Sequence, residues 1–196
     1  AFGGHLMATI ICPRFRPCMA TVRPGVMKKN PFDQAKADAV EIVKPAFELA
    51  ESDIHTEVTE VVKAAKKLVD LIGADYIVSV GRGISKDVEG GIKLAEELAE
   101  VLGGEVGASR AAVDAGFTEH ARQIGQTGVT IRPKLYIACG ISGQIQHTAG
   151  MDQSSMIISI NTDPDAPINK IADFAITGDL NEVIPKMIKY YKQNSK

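Results

Sequence analysis

Five short segments rich in Gly, Ser, Arg, Asn and Asp each follow a stretch with the composition of a β-strand. They are Gly81-Arg82-Gly83, Ser109-Arg110, and residues 140–144, 161–163 and 178–180. In a parallel sheet the carboxyl ends of the strands share one edge, and ligands bind in the crevice beside it. Backbone N–H groups and guanidinium groups suit phosphate anions. The segments therefore predict one crevice for a phosphorylated cofactor.

Each of these segments also has a purely structural explanation. Gly81 and Gly83 would be needed simply to turn a strand into its helix, with Ser85 as the N-cap. A complete Gly-x-Gly-x-x-Gly sequence is absent, so the usual dinucleotide fingerprint is missing. His147 would follow the 140–144 turn by about one helical turn, where a histidine is either structural or close to the ligand. Residues 126–128 lie in a polar stretch without periodicity, which is typical of a surface loop.

The elements that must position these segments follow from hydrophobic periodicity. Continuous apolar runs predict strands at 76–80, 105–108, 135–139, 156–160 and 174–177. Helical spacing of apolar residues predicts helices at about 57–72, 86–102 and 181–191. Apolar strands that alternate with helices indicate an α/β fold with a doubly wound, Rossmann-like parallel sheet.

The first part of the chain has a different pattern. Apolar stretches at 7–12, 19–22 and 39–43, separated by turns rich in Pro and Arg, predict short strands without a covering helix. Such a sheet is not stable alone, so it is expected to pack on missing residues, on the second part or on another chain. We expect residues 1–55 to be the remnant of an N-terminal α/β domain and residues 56–196 to be the cofactor domain.

Composition excludes several classes of protein. The net charge of −2 argues against a nucleic-acid partner, and no apolar run approaches the length of a membrane span. The first five residues lack the features of a secretory signal. The three cysteines, Cys12, Cys18 and Cys139, suggest neither a disulfide framework nor a metal site and favour the cytoplasm.

Taken together, the segments resemble the α subunit of electron-transfer flavoproteins. The resemblance lies in Gly81-Arg82-Gly83, residues 107–116, 123–128 and 135–147, Ile160-Asn161, Asp163-Pro164 and residues 172–180. They occur in the family's order and extend over nearly all of residues 57–191. Residues 1–30 resemble the end of the family's first domain, particularly in bacterial and archaeal members. Because the chain begins without Met and inside that domain, we expect it to be a fragment.

The resemblance implies that the cofactor is FAD, held in a deoxyhypusine-synthase-like domain, and that a β subunit completes a heterodimer. It implies an electron carrier, rather than a conventional enzyme, between dehydrogenases and an acceptor. Some members split electron pairs between two acceptors, and the N-terminal segment resembles those members. Position by position, it places these residues around FAD: Arg82, Ser109, Arg110, Gln126, Thr127, Ser142, Gly143, Gln144, Ile145, Gln146, His147, Asn161, Asp179 and Leu180.

Roles at the flavin ring can be assigned as hypotheses. Arg110 is expected to stabilise negative charge on the reduced ring, because its guanidinium is always charged and planar. By resemblance, Thr127 lies at flavin N5 and His147 near the C2 carbonyl. A pKa of His147 near neutrality would let its charge follow that of the flavin.

The rest of the cofactor is assigned in the same way. The pyrophosphate is expected on the backbone of residues 142–146 and on Arg82, and the sugar and adenine on Asn161 and Asp179. Two alternatives stay open. One is an enzyme with a nicotinamide cofactor and a small substrate, and the other is an assembly module that has lost its cofactor.

Overall fold

The computed structural model describes residues 7–22, 27, 30–44, 46–61 and 69–195. The described residues fall into two compact units. One contains residues 7–22, 27 and 69–195, and the other contains 30–44 and 46–61. This division does not test the expected boundary between residues 55 and 56, which stays a prediction.

A six-stranded parallel sheet forms the centre of the larger unit. Its strands are β1 (Tyr76–Val80), β2 (Glu105–Ser109), β3 (Gln123–Ile124), β4 (Leu135–Cys139), β5 (Ile157–Asn161) and β6 (Phe174–Thr177). The spatial order is β3-β2-β1-β4-β5-β6, and every neighbouring pair is parallel. This order is that of a doubly wound Rossmann-like sheet, whose topological switch point lies between β1 and β4. The predicted fold class is confirmed.

Two long helices cover one face of the sheet. They are α2 (Val88–Leu102) and α5 (Leu180–Asn194), which pack on each other and on the strands. Asp87 caps α2 by accepting a hydrogen bond from the Gly90 N–H, and Gly103 ends the helix in the left-handed conformation. The buried residues of α2 include Ala95 and Leu98, at helical spacing toward the sheet. Both helices were predicted from that spacing.

Short elements and loops cover the opposite face. A second cluster of buried side chains there includes Ile124, Ile131, Tyr136, Met151 and Ile168. Two short helices, α3 (Arg110–Asp114) and α4 (Ile145–Thr148), each start close to the carboxyl end of a strand. Three short 3-10 helices form at Arg82–Ile84, His120–Arg122 and Pro167–Lys170. Hydrophobic periodicity predicted neither the helix α3 nor the strand β3, because neither is long enough to show a period.

The strands predicted in the first part of the chain are wrong. Residues 7–12, 19–22 and 39–43 have no strand structure, and their apolar side chains are exposed, as for Met7 at 94%. An apolar run becomes a strand only where a neighbouring strand completes its hydrogen bonds, and these stretches have none among the described residues. The regular element there is instead α1 (Gln34–Asp38), with a 3-10 helix at Glu51–Asp53.

The helix predicted at 57–72 lies partly outside the described residues, which exclude 62–68. Residues 57–61 and 69–72 are described and are not helical. Leu71 lies in a turn and is buried in the second cluster. Apolar spacing alone therefore did not produce a helix at either end of this range.

Candidate functional site

A cleft of about 820 Å³ opens at the carboxyl edge of the sheet. The segments that follow β1, β2, β4 and β5 all contribute to its lining. It includes the switch point between β1 and β4, which is where doubly wound sheets bind their ligands. Its volume lies within the range of small-molecule and cofactor sites.

The segments after β1 and β4 meet backbone to backbone. The Gly81 N–H donates to the Cys139 carbonyl at 2.9 Å, and the Gly83 N–H donates to the Gly140 carbonyl at 3.0 Å. A Cβ atom on Gly83 would lie 2.5 Å from the Gly140 Cα, and Gly140 has a φ of +63°. Glycine is needed at both positions because a side chain would separate the two backbones. The structural explanation and the binding explanation of these glycines are therefore compatible.

The cleft brings together ten of the fourteen residues predicted to contact the cofactor. They are Arg82, Ser109, Arg110, Thr127, Ser142, Gly143, Gln144, Gln146, His147 and Asn161. Arg110, Thr127 and His147, which come from three separate segments, share this lining. Four of the five segments therefore share one cleft, whereas residues 178–180 lie outside its lining.

Four predicted contacts lie outside the lining. Gln126 donates its backbone N–H to the Gln146 carbonyl at 2.7 Å, and Ile145 begins α4 with its side chain 49% exposed. Asp179 caps α5 by accepting from the Asn181 N–H at 2.8 Å, and Leu180 is buried in the helix-covered cluster. Their assignment as cofactor contacts stays a prediction.

The loop that carries Thr127 is held against α4. Gly125 has a φ of +136°, and a Cβ atom there would lie 2.7 Å from the Gln146 carbonyl oxygen. Gln123 is buried and donates its Nε2 hydrogen to Thr127 Oγ1 at 2.9 Å. A hydroxyl that accepts one hydrogen bond keeps its own hydrogen for another acceptor. Thr127 can therefore donate a hydrogen bond to a bound ligand.

Arg110 is the first residue of α3, directly after β2. Its Nε donates to Asp114 Oδ2 at 3.2 Å, and both side chains are more than half exposed. Because this pair uses Nε, the terminal guanidinium nitrogens remain able to donate to a planar ligand edge. Ser109 caps the same helix by accepting from the Ala112 N–H at 3.4 Å.

His147 is buried, with 7% of its surface exposed, and both ring nitrogens have partners. Nε2 lies 2.8 Å from Tyr136 Oη, and Nδ1 lies 3.2 Å from the Ile124 carbonyl oxygen. Burial lowers the pKa of His147 to about 4, although the Ile124 carbonyl acts in the opposite direction. The expected pKa near neutrality is therefore wrong, because it neglected the cost of charging a buried imidazole.

Tyr136, the partner of His147, is fully buried in β4. Burial raises the pKa of its phenol, and the Ser79 hydroxyl opposes that rise. Ser79 Oγ nevertheless makes no hydrogen bond of normal geometry with the described residues. The hydrogen bond to His147 is therefore the defined contact of the Tyr136 hydroxyl.

The rim after β5 is fixed by amide side chains. Asn161 donates to the Ile141 carbonyl at 2.9 Å and so joins two of the lining segments. Asn169 accepts from Ser159 Oγ at 2.7 Å and donates to the Pro164 carbonyl at 2.9 Å. These bonds hold the loop that contributes Asp163 to the cleft.

Sequence reasoning missed the supporting residues of the site. Gln123, Asp114, Tyr136 and Asn169 each position a lining residue or loop through the contacts above. Asp114 could have been found, because it stands four residues after Arg110 in a segment predicted to bind. Gln123 could likewise have been found, because it stands four residues before Thr127. Tyr136 lies 11 residues from His147, and no local pattern marks it or Asn169.

Three further observations concern metal sites, cysteines and membrane spans. Within the described part of the chain, no group of three or more His, Cys, Asp or Glu side chains is arranged to hold a metal ion. All three cysteines are unpaired, and burial raises the pKa of Cys139 to about 12. Of the helices that the structure describes, none combines the length and the apolar character of a membrane span.

Comparison with known proteins identifies the domain. The sequence profile described as the electron transfer flavoprotein FAD-binding domain matches residues 70–152. The acryloyl-CoA reductase electron transfer subunit beta of Anaerotignum propionicum is 59% identical over 98% of this chain and 53% of its own length. The electron transfer flavoprotein subunit alpha of Thermoanaerobacterium thermosaccharolyticum is 55% identical, over 98% of this chain and 57% of its own.

A third relative, Protein FixB of Clostridium saccharobutylicum, is 51% identical over 98% of this chain and 56% of its own length. The chain thus spans about half the length of the curated relatives it matches. Identity above 50% extends over nearly all of the chain, and the profile match includes most of the cleft. Residues 70–152 therefore match the electron transfer flavoprotein FAD-binding domain, and nearly the whole chain is similar to about half the length of these electron transfer subunits.

Proposed function

We propose that this protein binds FAD in the cleft at the carboxyl edge of the sheet and carries electrons between a dehydrogenase and an acceptor. The observation that supports this most is the convergence of Arg110, Thr127 and His147, from three segments, on one cleft at the switch point. Bound FAD would supply the redox chemistry, and the protein would supply binding, orientation and charge.

The donor groups of the cleft fit the phosphate part of FAD. The backbone N–H groups of residues 142–146 have no hydrogen-bond partner among the described residues. The Arg82 side chain lines the same cleft. Unpaired N–H groups and a guanidinium are the groups that proteins use for pyrophosphate. We assign the pyrophosphate to this segment and to Arg82.

The part of the cleft lined by Arg110, Thr127 and His147 fits the isoalloxazine ring. Thr127 retains a hydroxyl hydrogen and would donate to N5, while Arg110 would place its positive charge at the edge of the ring where negative charge gathers on reduction. His147, neutral and buried, would form part of the wall rather than change its charge. Asn161 would contact the ribityl or adenosine part.

An enzyme that uses a nicotinamide cofactor is not favoured. The segment after β1 reads Gly81-Arg82-Gly83-Ile84-Ser85-Lys86, so a lysine stands where the third glycine of the dinucleotide fingerprint would be. The matched profile describes an FAD-binding domain. An assembly module without cofactor is not favoured either, because the lining segments retain their donor groups.

The proposal is tested by the visible absorption spectrum of the purified protein. We expect a yellow protein whose flavin bands correspond to about one FAD released per chain on denaturation. A protein that remains colourless after incubation with FAD, while binding NAD, would contradict the proposal and support the nicotinamide alternative.

The role of Arg110 is tested by its replacement. We expect Arg110→Ala to lower the first reduction potential by about 60–130 mV, since a charge-assisted hydrogen bond contributes about 1.5–3 kcal/mol and about 59 mV corresponds to a tenfold change for one electron. Arg110→Lys keeps the charge but loses the planar guanidinium. Its first reduction potential should lie between those of the unaltered protein and Arg110→Ala. An unchanged potential in a spectroelectrochemical titration of Arg110→Ala would refute this role.

The names of two relatives support a proposal about the partners. One relative is named as an electron transfer subunit of acryloyl-CoA reductase, and another as an electron transfer flavoprotein subunit alpha. On this basis we propose that the chain works with a β subunit and delivers or receives electrons from a dehydrogenase. Co-purification of the protein with a co-expressed β subunit would test the assembly. The unpaired cysteines support a reducing, cytoplasmic compartment.

A further inference from the structure

The buried pair formed by Tyr136 and His147 connects the interior of the sheet with the wall of the cleft. Tyr136 lies in β4 and is 0% exposed, whereas His147 lies in α4 and lines the cleft. Among the described residues, one contact of the Tyr136 side chain has the geometry of a hydrogen bond, the 2.8 Å contact with His147 Nε2. A buried hydroxyl is costly without a hydrogen bond, so the contact with His147 stabilises the buried Tyr136 side chain.

The partners of the imidazole decide where its hydrogen lies. The Ile124 carbonyl can only accept a hydrogen bond, so Nδ1, at 3.2 Å, carries the ring hydrogen. In a neutral ring, Nε2 then offers a lone pair, and the Tyr136 hydroxyl donates to it. Both nitrogens thereby have partners inside the protein.

We propose that Tyr136 is a positioning residue that holds His147 as the neutral Nδ1–H tautomer and fixes its ring in the cleft wall. This inference deepens the proposed function and rests on it where FAD is concerned. The tautomer itself does not depend on any ligand. Burial supports the same state, because it lowers the pKa of His147 to about 4.

The hydroxyl of Tyr136 can be removed with little change in shape. In Tyr136→Phe the aromatic ring still fills its place in β4, but Nε2 loses its donor. Among the described residues, the Ile124 carbonyl alone then favours the Nδ1–H tautomer, so we expect the ring to be less firmly held. We expect FAD affinity to fall about threefold to tenfold, the effect of losing about one hydrogen bond's contribution to orientation.

The experiment combines nitrogen-15 NMR of the His147 ring with FAD titration. In the unaltered protein, before FAD is added, we expect a protonated Nδ1 and an unprotonated Nε2. In Tyr136→Phe we expect a mixture of tautomers. Tyr190→Phe is the matched control, because Tyr190 is 70% exposed on α5; it should change neither the ring signals nor FAD affinity.

Two results would overturn the inference. One is an unaltered protein that holds the Nε2–H tautomer, a test that needs no variant. The other is a Tyr136→Phe protein with the same ring signals and the same FAD affinity as the unaltered protein. If the protein does not bind FAD at all, the proposed function fails, but the ring signals still decide the role of Tyr136.

Discussion

The two faces of the sheet are built in different ways. On one face, α2 and α5 pack their apolar residues on the strands, and the buried cluster contains few polar atoms. On the other face, short helices and loops cover Tyr136, Ile131 and Met151, and the buried polar pair of Tyr136 and His147 lies there. The long helices stabilise the fold, whereas the short elements position the lining residues of the cleft.

This difference explains how the fold can hold a site without weakening its core. The face covered by α2 and α5 provides a large apolar interface, and no residue of these two helices lines the cleft. The face covered by loops can then accept strained or polar residues such as Gly125 and His147. Mutations on the helix-covered face should therefore lower mainly the stability of the fold. Mutations on the loop-covered face should also lower the affinity for the cofactor.

The largest effect on stability is expected on the helix-covered face. Leu98 is fully buried in α2, and Leu98→Ala should lower the free energy of unfolding by about 2–5 kcal/mol because it removes apolar contacts and leaves a cavity. FAD affinity of the folded variant should stay within about twofold of the unaltered protein. Urea unfolding and flavin titration measure the two quantities. A large loss of affinity would show that the faces are coupled.

A pH-dependent effect is expected on the other face. The pKa of His147 is about 4 in the folded protein and about 6.5 when unfolded. As the pH decreases, His147 is protonated in the unfolded chain before it is protonated in the folded protein. The stabilisation that depends on the neutral ring should therefore be fully present above pH 6.5 and should decrease as the pH falls toward 4. Over this interval the free energy of unfolding should decrease by about 3 kcal/mol because of His147.

The measurement is the free energy of unfolding as a function of pH in the unaltered protein and in His147→Gln. The variant should have the flatter profile. His120→Gln, at an exposed position, should retain the original slope. Parallel profiles for the unaltered protein and His147→Gln would contradict the proposed burial of a neutral imidazole.

Gly125→Ala is expected to lower stability less than Leu98→Ala but to weaken FAD binding more. The added Cβ would be 2.7 Å from the Gln146 carbonyl oxygen at a φ of +136°, so the loop carrying Thr127 must move. We expect a loss of about 1–3 kcal/mol in stability and at least tenfold weaker FAD binding. Isothermal titration with FAD, together with urea unfolding, measures both.

Gly103→Ala is the control for that substitution. Gly103 also has a positive φ, +71°, but no atom of the described residues lies within 4 Å of an added Cβ at the end of α2. It should therefore lose about 1 kcal/mol of stability through backbone strain and keep its FAD affinity. Equal losses of affinity in the two variants would mean that strain alone, not the position of the loop, controls binding.

The sequence predicted the sheet well because its strands are apolar throughout. The bounds of β4 and β6 agree with the expectation, and the strand expected at 156–160 is Ile157–Asn161. The helix expected from residue 86 begins at Val88 because Asp87 caps it. The apolar stretches before residue 44 misled the prediction, since periodicity does not reveal whether a neighbouring strand is present.

The site was predictable where it follows a strand and not where it depends on distant contacts. Arg82, Arg110 and Ser142 were found because each follows a strand that the pattern identifies. The state of His147 was not, because it depends on Tyr136, 11 residues away, and on the Ile124 carbonyl, 23 residues away. The burial that suppresses its charge becomes visible only in the folded chain.

The hydrogen bonds of the sheet continue past the ends of its strands. The Gly81 N–H bonds to the Cys139 carbonyl, the Gly140 N–H to that of Ile160, and the Gly178 N–H to that of Asn161. Amide exchange at these glycines should consequently be as slow as in the central strands. A molecule that enters the cleft meets a rim already ordered by folding, so its association should be limited by diffusion and desolvation and not by loop closure.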